Sequence, residues 1–193
     1  INETGLNGYS FVSITGDAKC PATLGGSVTL NEGESITCTI TNNDNPPSLT
    51  LVKVVDNDFD GTAVASDWTL TATGPTGFSG AGPSVSNGVS FDAGTYDLSE
   101  SAALPGYTNG TKWDCVGGGT QNDPDTITLG LGQSATCTIT NNDQAGHLIV
   151  NKTTIPSDTT NEFSITASGG TIVNPAATQT IVGGGTVNYT VNA

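Results

Sequence analysis

The chain has 193 residues, 34% hydrophobic and only 11% charged, with 32 Thr, 26 Gly and a formal net charge of −14. Its basic side chains are limited to Lys19, Lys53, Lys112 and Lys152, so nucleic acid and an anionic membrane surface are repelled as partners. No apolar run approaches the length of a membrane span, and β-branched and turn-forming residues outnumber charged ones, which predicts many short strands rather than disorder. With no Met in the chain, Ile1 reads as the start of a mature or excised segment, any secretory signal having been removed.

In chain order, the first informative stretch is Cys38-Thr39-Ile40-Thr41-Asn42-Asn43-Asp44, because the same seven residues return at Cys137–Asp143, 99 positions later. Such an identity marks an internal repeat, and a repeat sets the frame for everything else. The match extends outward. Asn2-Glu3-Thr4-Gly5-Leu6-Asn7-Gly8-Tyr9 corresponds to Ser99–Tyr107 with a one-residue gap, Leu49–Lys53 to Leu148–Lys152, and Asp67–Gly74 to Glu162–Gly169. The period of 95 to 99 residues divides the chain into 1–45, the C-terminal half of a unit; 46–145, a complete unit; and 146–193, the N-terminal half of another. Neither half holds enough strands to bury a sandwich core alone. The expectation is that residues equivalent to 1–45 of the next subunit or repeat complete 146–193. Asn45-Pro46-Pro47 and Gln144-Ala145-Gly146 read as short linkers.

Within the complete unit, alternation predicts strands near 48–55, 67–74, 85–92, 95–100, 111–116, 125–130 and 134–142. The four Cys fall into two similar pairs, Cys20/Cys38 and Cys115/Cys137. Neither pair has the short spacing of a metal site, and the single histidine, His147, stands in a linker. Disulfides Cys20–Cys38 and Cys115–Cys137, made in an oxidising extracellular compartment, are therefore expected.

Three polar residues fall in register with apolar ones on these strands: Lys53 with Leu49 and Leu51, Glu100 with Tyr96 and Leu98, and Asn141 with Cys137 and Ile139. Buried separately, a lysine, a carboxyl and an amide would each cost several kcal/mol, roughly 2–7 for the amide alone. Buried together they suit one reaction. A lysine withdrawn from water gives up its proton more readily and becomes a nucleophile, and a neighbouring carboxyl can relay protons. Attack on the Asn amide carbon then expels ammonia and leaves an isopeptide bond. Asn142 is the alternative acceptor, and a snorkelling Lys53 paired with Glu100 at the surface is the plainer outcome.

The order Leu49-x-Leu51-x-Lys53, Tyr96-x-Leu98-x-Glu100 followed by Pro105-Gly106-Tyr107, then Thr140-Asn141 resembles the Cna B-type repeat. That repeat is the prealbumin-like (transthyretin-like) sandwich of bacterial surface adhesins and pilins. Trp113-Asp114-Cys115 with Cys137-Thr138-Ile139 resembles its disulfide-bearing variety. The resemblance implies an all-β chain of tandem Ig-like or prealbumin-like antiparallel sandwiches, one complete unit flanked by two complementary halves. It implies a Lys53–Asn141 isopeptide bond with Glu100 as catalyst, and, for the split unit, the set Lys152, Glu3 and Asn42. The expected function is a building block of an extracellular filament, pilus or cell-surface stalk, with copies of itself as head-to-tail partners. The alternative is an adhesin repeat whose loops, with Phe78, Phe91 and Trp113, bind a host, matrix or glycan ligand; an accessory domain of a secreted enzyme is a weaker third.

Asp56-Asn57-Asp58-Phe59-Asp60-Gly61, with Asp67 at the twelfth position, resembles a calcium loop, although the equivalent stretch after Lys152 carries no such cluster and a solvated acidic turn is the simpler expectation. No other cofactor is implied. Asn2, Asn109, Asn151 and Asn188 head glycosylation sequons. No set of nucleophile, base and orienting acid stands out, so turnover catalysis is not expected.

Overall fold

The computed structural model describes residues 1–192. Among the described residues the structure is all-β apart from a single 3-10 turn at Ala65–Asp67. Among the described residues no helix is long and apolar enough to cross a membrane. The contacts divide the chain into two compact units: residues 1–52, 68–101 and 111–139 form the first, and 53–67, 102–110 and 140 onward the second.

The first unit opens with a hairpin of β1 (Tyr9–Gly16) and β2 (Cys38–Asp44), paired from Tyr9↔Asp44 to Gly16↔Cys38. The chain then runs through β3 (Ser48–Asp56), β4 (Thr69–Thr73), β5 (Phe78–Ala81), β6 (Ser84–Ser86), β7 (Gly94–Glu100), β8 (Tyr107–Thr108), β9 (Asp114–Gly117), β10 (Thr120–Asp123), β11 (Thr126–Leu129) and β12 (Ser134–Asp143). One five-stranded sheet has the order β10-β11-β7-β4-β5, and a second the order β6-β3-β12-β8 with β9 beside β12. Strands β3 and β12 begin in the first unit and end in the second.

Alternation sets what each strand buries. In β3, Leu49 and Leu51 point inward at 0% exposure; in β7, Tyr96 and Leu98 do the same at 0% and 3%. They join Leu70, Ile127, Leu129, Cys137 and Ile139 in one core. Full burial of each large aliphatic side chain contributes about 1.5–3 kcal/mol, which makes this core the main source of stability.

The expected strand at 85–92 is shorter, and Asn87 is the reason. Its Oδ1 accepts the Leu49 amide at 2.6 Å in place of a backbone carbonyl, which ends the pairing of β6 with β3. The chain then leaves the sheet, and Phe91 turns into the core, stacked on Tyr96 at 4.5 Å between ring centroids with Phe78 edge-on at 5.7 Å. Phe91 and Trp113, offered above as ligand-binding aromatics, are thereby corrected to core residues, at 3% and 2% exposure. The short strands β5, β8 and β10 were not expected.

In the second unit, β13 (Gly146–Asn151), β14 (Glu162–Thr166), β15 (Ile172–Asn174), β16 (Thr178–Val182) and β17 (Thr186–Val191) form a three-stranded sheet, β13-β17-β15, and a pair, β14-β16. Their cluster is small: Ile181, Val187 and a fully buried Tyr189. Leu148 and Ile149 on β13 remain 44% and 59% exposed.

Candidate functional site

Lys53 follows Leu49 and Leu51 along the inner face of β3 and is only 3% exposed. Asn141, two residues beyond Ile139 on β12, is 0% exposed, whereas Asn142 points to solvent. Strands β3 and β12 are neighbours in one sheet, so the acceptor and the amine lie on adjacent strands. The Asn141 carboxamide is held at both ends. Its Oδ1 accepts the Gly110 amide at 2.8 Å, and its Nδ2 donates to Asn109 Oδ1 at 2.8 Å. Glu100 closes β7 on the inward, half-buried position opposite Leu70 of β4.

Of the second expected set, Glu3 and Asn42 are joined, Asn42 Nδ2 donating to Glu3 Oε2 at 3.1 Å. Lys152 is half-buried with its ammonium 4.2 Å from the Phe163 ring centroid, a cation–π contact.

The acidic loop is organised by a residue the sequence did not single out. Asp143, buried at the end of β12, accepts the Phe59 amide at 2.9 Å and the Gly61 amide at 2.7 Å. Tyr107 Oη donates to Asn57 Oδ1 at 2.7 Å and accepts the Ala63 amide at 2.9 Å. Gly61 is required by this close wrapping, since a Cβ there would lie 2.3 Å from Tyr107 Oη. Asp67 instead accepts the Val64 amide at 2.8 Å. Among the described residues no group of three or more His, Cys, Asp or Glu is placed to hold a metal, so Asp56, Asp58, Asp60 and Asp67 do not assemble one.

Withdrawal from water pushes the Asp143 carboxyl up, but hydrogen bonds from the Gly61 amide, Asp58 and the Phe59 amide outweigh it and hold the group below the ordinary carboxylate range. Asp58 moves the other way, raised by desolvation and then by its hydrogen bond to Asp143. A carboxyl depressed in the folded state contributes stability that is complete above its unfolded value and is lost as pH falls through the folded one. The Asp143 contribution is therefore in full force at neutral pH and is lost as acid protonates that carboxyl, while the raised Asp58 acts in the opposite sense. Asp143→Ala should speed amide exchange at Phe59 and Gly61 at neutral pH, read by hydrogen–deuterium exchange; unchanged protection would show that the loop closes without it.

The two copies of the heptapeptide make matching backbone contacts in different surroundings. Tyr9↔Asp44 and Tyr107↔Asp143 are paired alike, and the Asn45 amide to Gly8 carbonyl bond (2.8 Å) is repeated by Gln144 to Gly106 (2.8 Å). Cys137, Ile139, Asn141 and Asp143 are all buried, whereas Cys38 and Ile40 are half-buried and Asn42 and Asp44 exposed. Both expected disulfides are present, Cys20–Cys38 and Cys115–Cys137, the latter joining directly opposed residues of β9 and β12. Of the sequon residues, Asn2, Asn151 and Asn188 are exposed and Asn109 is half-buried against Asn141.

Fold and burial together define the class, a disulfide-stapled antiparallel β-sandwich domain with a lysine and an asparagine drawn into its interior. Residues 44–139 match the family model of the prealbumin-like fold domain of the SpaA type. Among solved structures the chain is similar to the major pilin protein from Streptococcus pyogenes, at 16% identity and a TM-score of 0.41, over 74% of this chain and 65% of that one. The chain thus spans just under two thirds of that pilin's length. Comparison with curated protein sequences gives no match.

Proposed function

We propose that the chain is a structural unit of an extracellular or cell-surface filament of the pilus kind, not an enzyme, and that an isopeptide bond between Lys53 and Asn141 seals its complete unit, with Glu100 relaying protons. The observation that carries this is the burial of Lys53 and Asn141 on neighbouring strands, with residues 44–139 matching the prealbumin-like family model. A lysine and an amide so placed offset their desolvation best by reacting, because the product is neutral. A bond between the first and last strands of a sandwich also leaves little chain free to extend under load. Units are joined head to tail when residues 146–193 of one copy or repeat are completed by residues equivalent to 1–45 of the next; Lys152, Glu3 and Asn42 would then form the corresponding set across the joint.

Intact mass under reducing, denaturing conditions tests the bond. The wild-type chain is expected to be lighter by about 17 Da, one ammonia, and Lys53→Ala or Asn141→Ala to abolish the loss. A wild-type mass equal to that of the sequence with its four thiols would sink the cross-link. Filaments in electron micrographs of the purified chain would support assembly. The adhesin reading is favoured by one observation, a cavity of about 350 Å³ beside Asp143 and Tyr107. Soluble monomers that bind a glycan or matrix protein would favour it over assembly.

A further inference from the structure

We infer that the dipeptide Asn109-Gly110 is the positioning element of the Lys53–Asn141 cross-link, orienting and polarising the Asn141 carboxamide for attack. The inference rests on the cross-link proposed above and adds to it the groups that prepare the electrophile. The reaction forms one bond, from Lys53 Nζ to Asn141 Cγ, and breaks one, from Cγ to Nδ2. The neutral amine gives one hydrogen to the departing nitrogen and keeps the other as the new amide N–H. Ammonia leaves with the two hydrogens it already carried, so no oxidant or co-reactant is needed.

Attack places negative charge on Asn141 Oδ1, the atom that the Gly110 amide already contacts at 2.8 Å. A backbone N–H fixed on that oxygen before reaction stabilises the developing charge without reorganisation. Asn109 Oδ1, 2.8 Å from Nδ2, holds the leaving group. It also fixes which end of the carboxamide is oxygen, since an amide turned over would set its oxygen against the Asn109 oxygen and its NH2 against the Gly110 amide. With Asn141 fully buried and both its polar atoms engaged, the electrophile has one orientation.

The first repeat copy lacks the device. Aligned on Gly8-Tyr9 and Gly106-Tyr107, the positions of Asn109 and Gly110 hold Phe11 and Val12. Phe11 supplies no side-chain acceptor, and the exposed Asn42 donates to Glu3 instead. The two asparagines of one heptapeptide are thus prepared differently, and Asn141 is the one preset to react.

The test follows ammonia loss in the full chain by intact mass during cell-free synthesis. It compares wild type with Asn109→Ala, which removes the acceptor, and Asn109→Asp, which keeps an acceptor oxygen. Expected is a wild-type loss of about 17 Da, slowed roughly tenfold or more in Asn109→Ala and largely restored in Asn109→Asp. Slow exchange of the Gly110 amide in Asn109→Ala would show that the loop itself still folds, so that the slowing belongs to the chemistry. Loss at the wild-type rate in Asn109→Ala overturns the positioning role and leaves the cross-link standing. A wild-type chain that never loses ammonia overturns the cross-link and this role with it.

Discussion

Replacing Cys115 and Cys137 together by Ala is expected to destabilise the core around β3, β7 and β12 by about 3 kcal/mol or more, the larger effect of the two disulfides. The loop-closure contribution follows from the 22-residue separation, and the 18-residue separation of Cys20 and Cys38 makes nearly the same entropic case. The difference lies in packing. Cys137 is fully buried among Leu51, Ile139 and their neighbours, so its truncation removes core contacts as well as the bridge. Cys20 and Cys38 are only half-buried, and their loss relaxes the 17–37 connection with little cost to any core. Trp68 and Trp113, both buried and both within the first compact unit, allow its guanidinium unfolding to be followed by fluorescence. Equal losses from the two double variants would show that loop closure alone decides.

Much of this site was legible in the sequence because its signals are local. The period-2 alternation along Leu49-x-Leu51-x-Lys53 and Cys137-x-Ile139-x-Asn141 placed the lysine and the asparagine inward, and the structure buries both. The identical heptapeptides are paired alike in the structure, Asp44 with Tyr9 and Asp143 with Tyr107. What stayed hidden depends on chain segments far apart. Nothing near Asp143 announces that it closes a loop 82 and 84 residues upstream, although continuing the alternation past Asn141 puts an Asp on the inward face, where it must find donors. Asn109-Gly110 looked like a sequon in a loop, and only the fold brings it against Asn141. Phe91 and Trp113 were misjudged because, although they fall in predicted strands, both stand in irregular chain just before β7 and β9, where alternation does not set the inward face.

Ile139 and Ile40 occupy the same place in two copies of one heptapeptide, and their truncations should differ sharply. Ile139→Ala removes a side chain 2% exposed in a closed core and is expected to cost about 2–5 kcal/mol. Ile40 sits on β2 with one neighbour in its sheet, β1, and is half-buried. Its truncation in the isolated chain leaves no cavity to speak of, and a cost below about 1.5 kcal/mol is expected. The comparison also tests assembly. If residues 146–193 of a second copy complete the sandwich over β1 and β2, Ile40 enters a core like that of Ile139, and its truncation penalty should rise with chain concentration toward the same range. Amide exchange across β1 and β2, measured at low and high concentration for wild type and Ile40→Ala, separates the cases. A penalty that stays small at every concentration means that the half sandwich is not closed by a second copy, whereas a rising one makes the heptapeptide an interior strand at both of its positions.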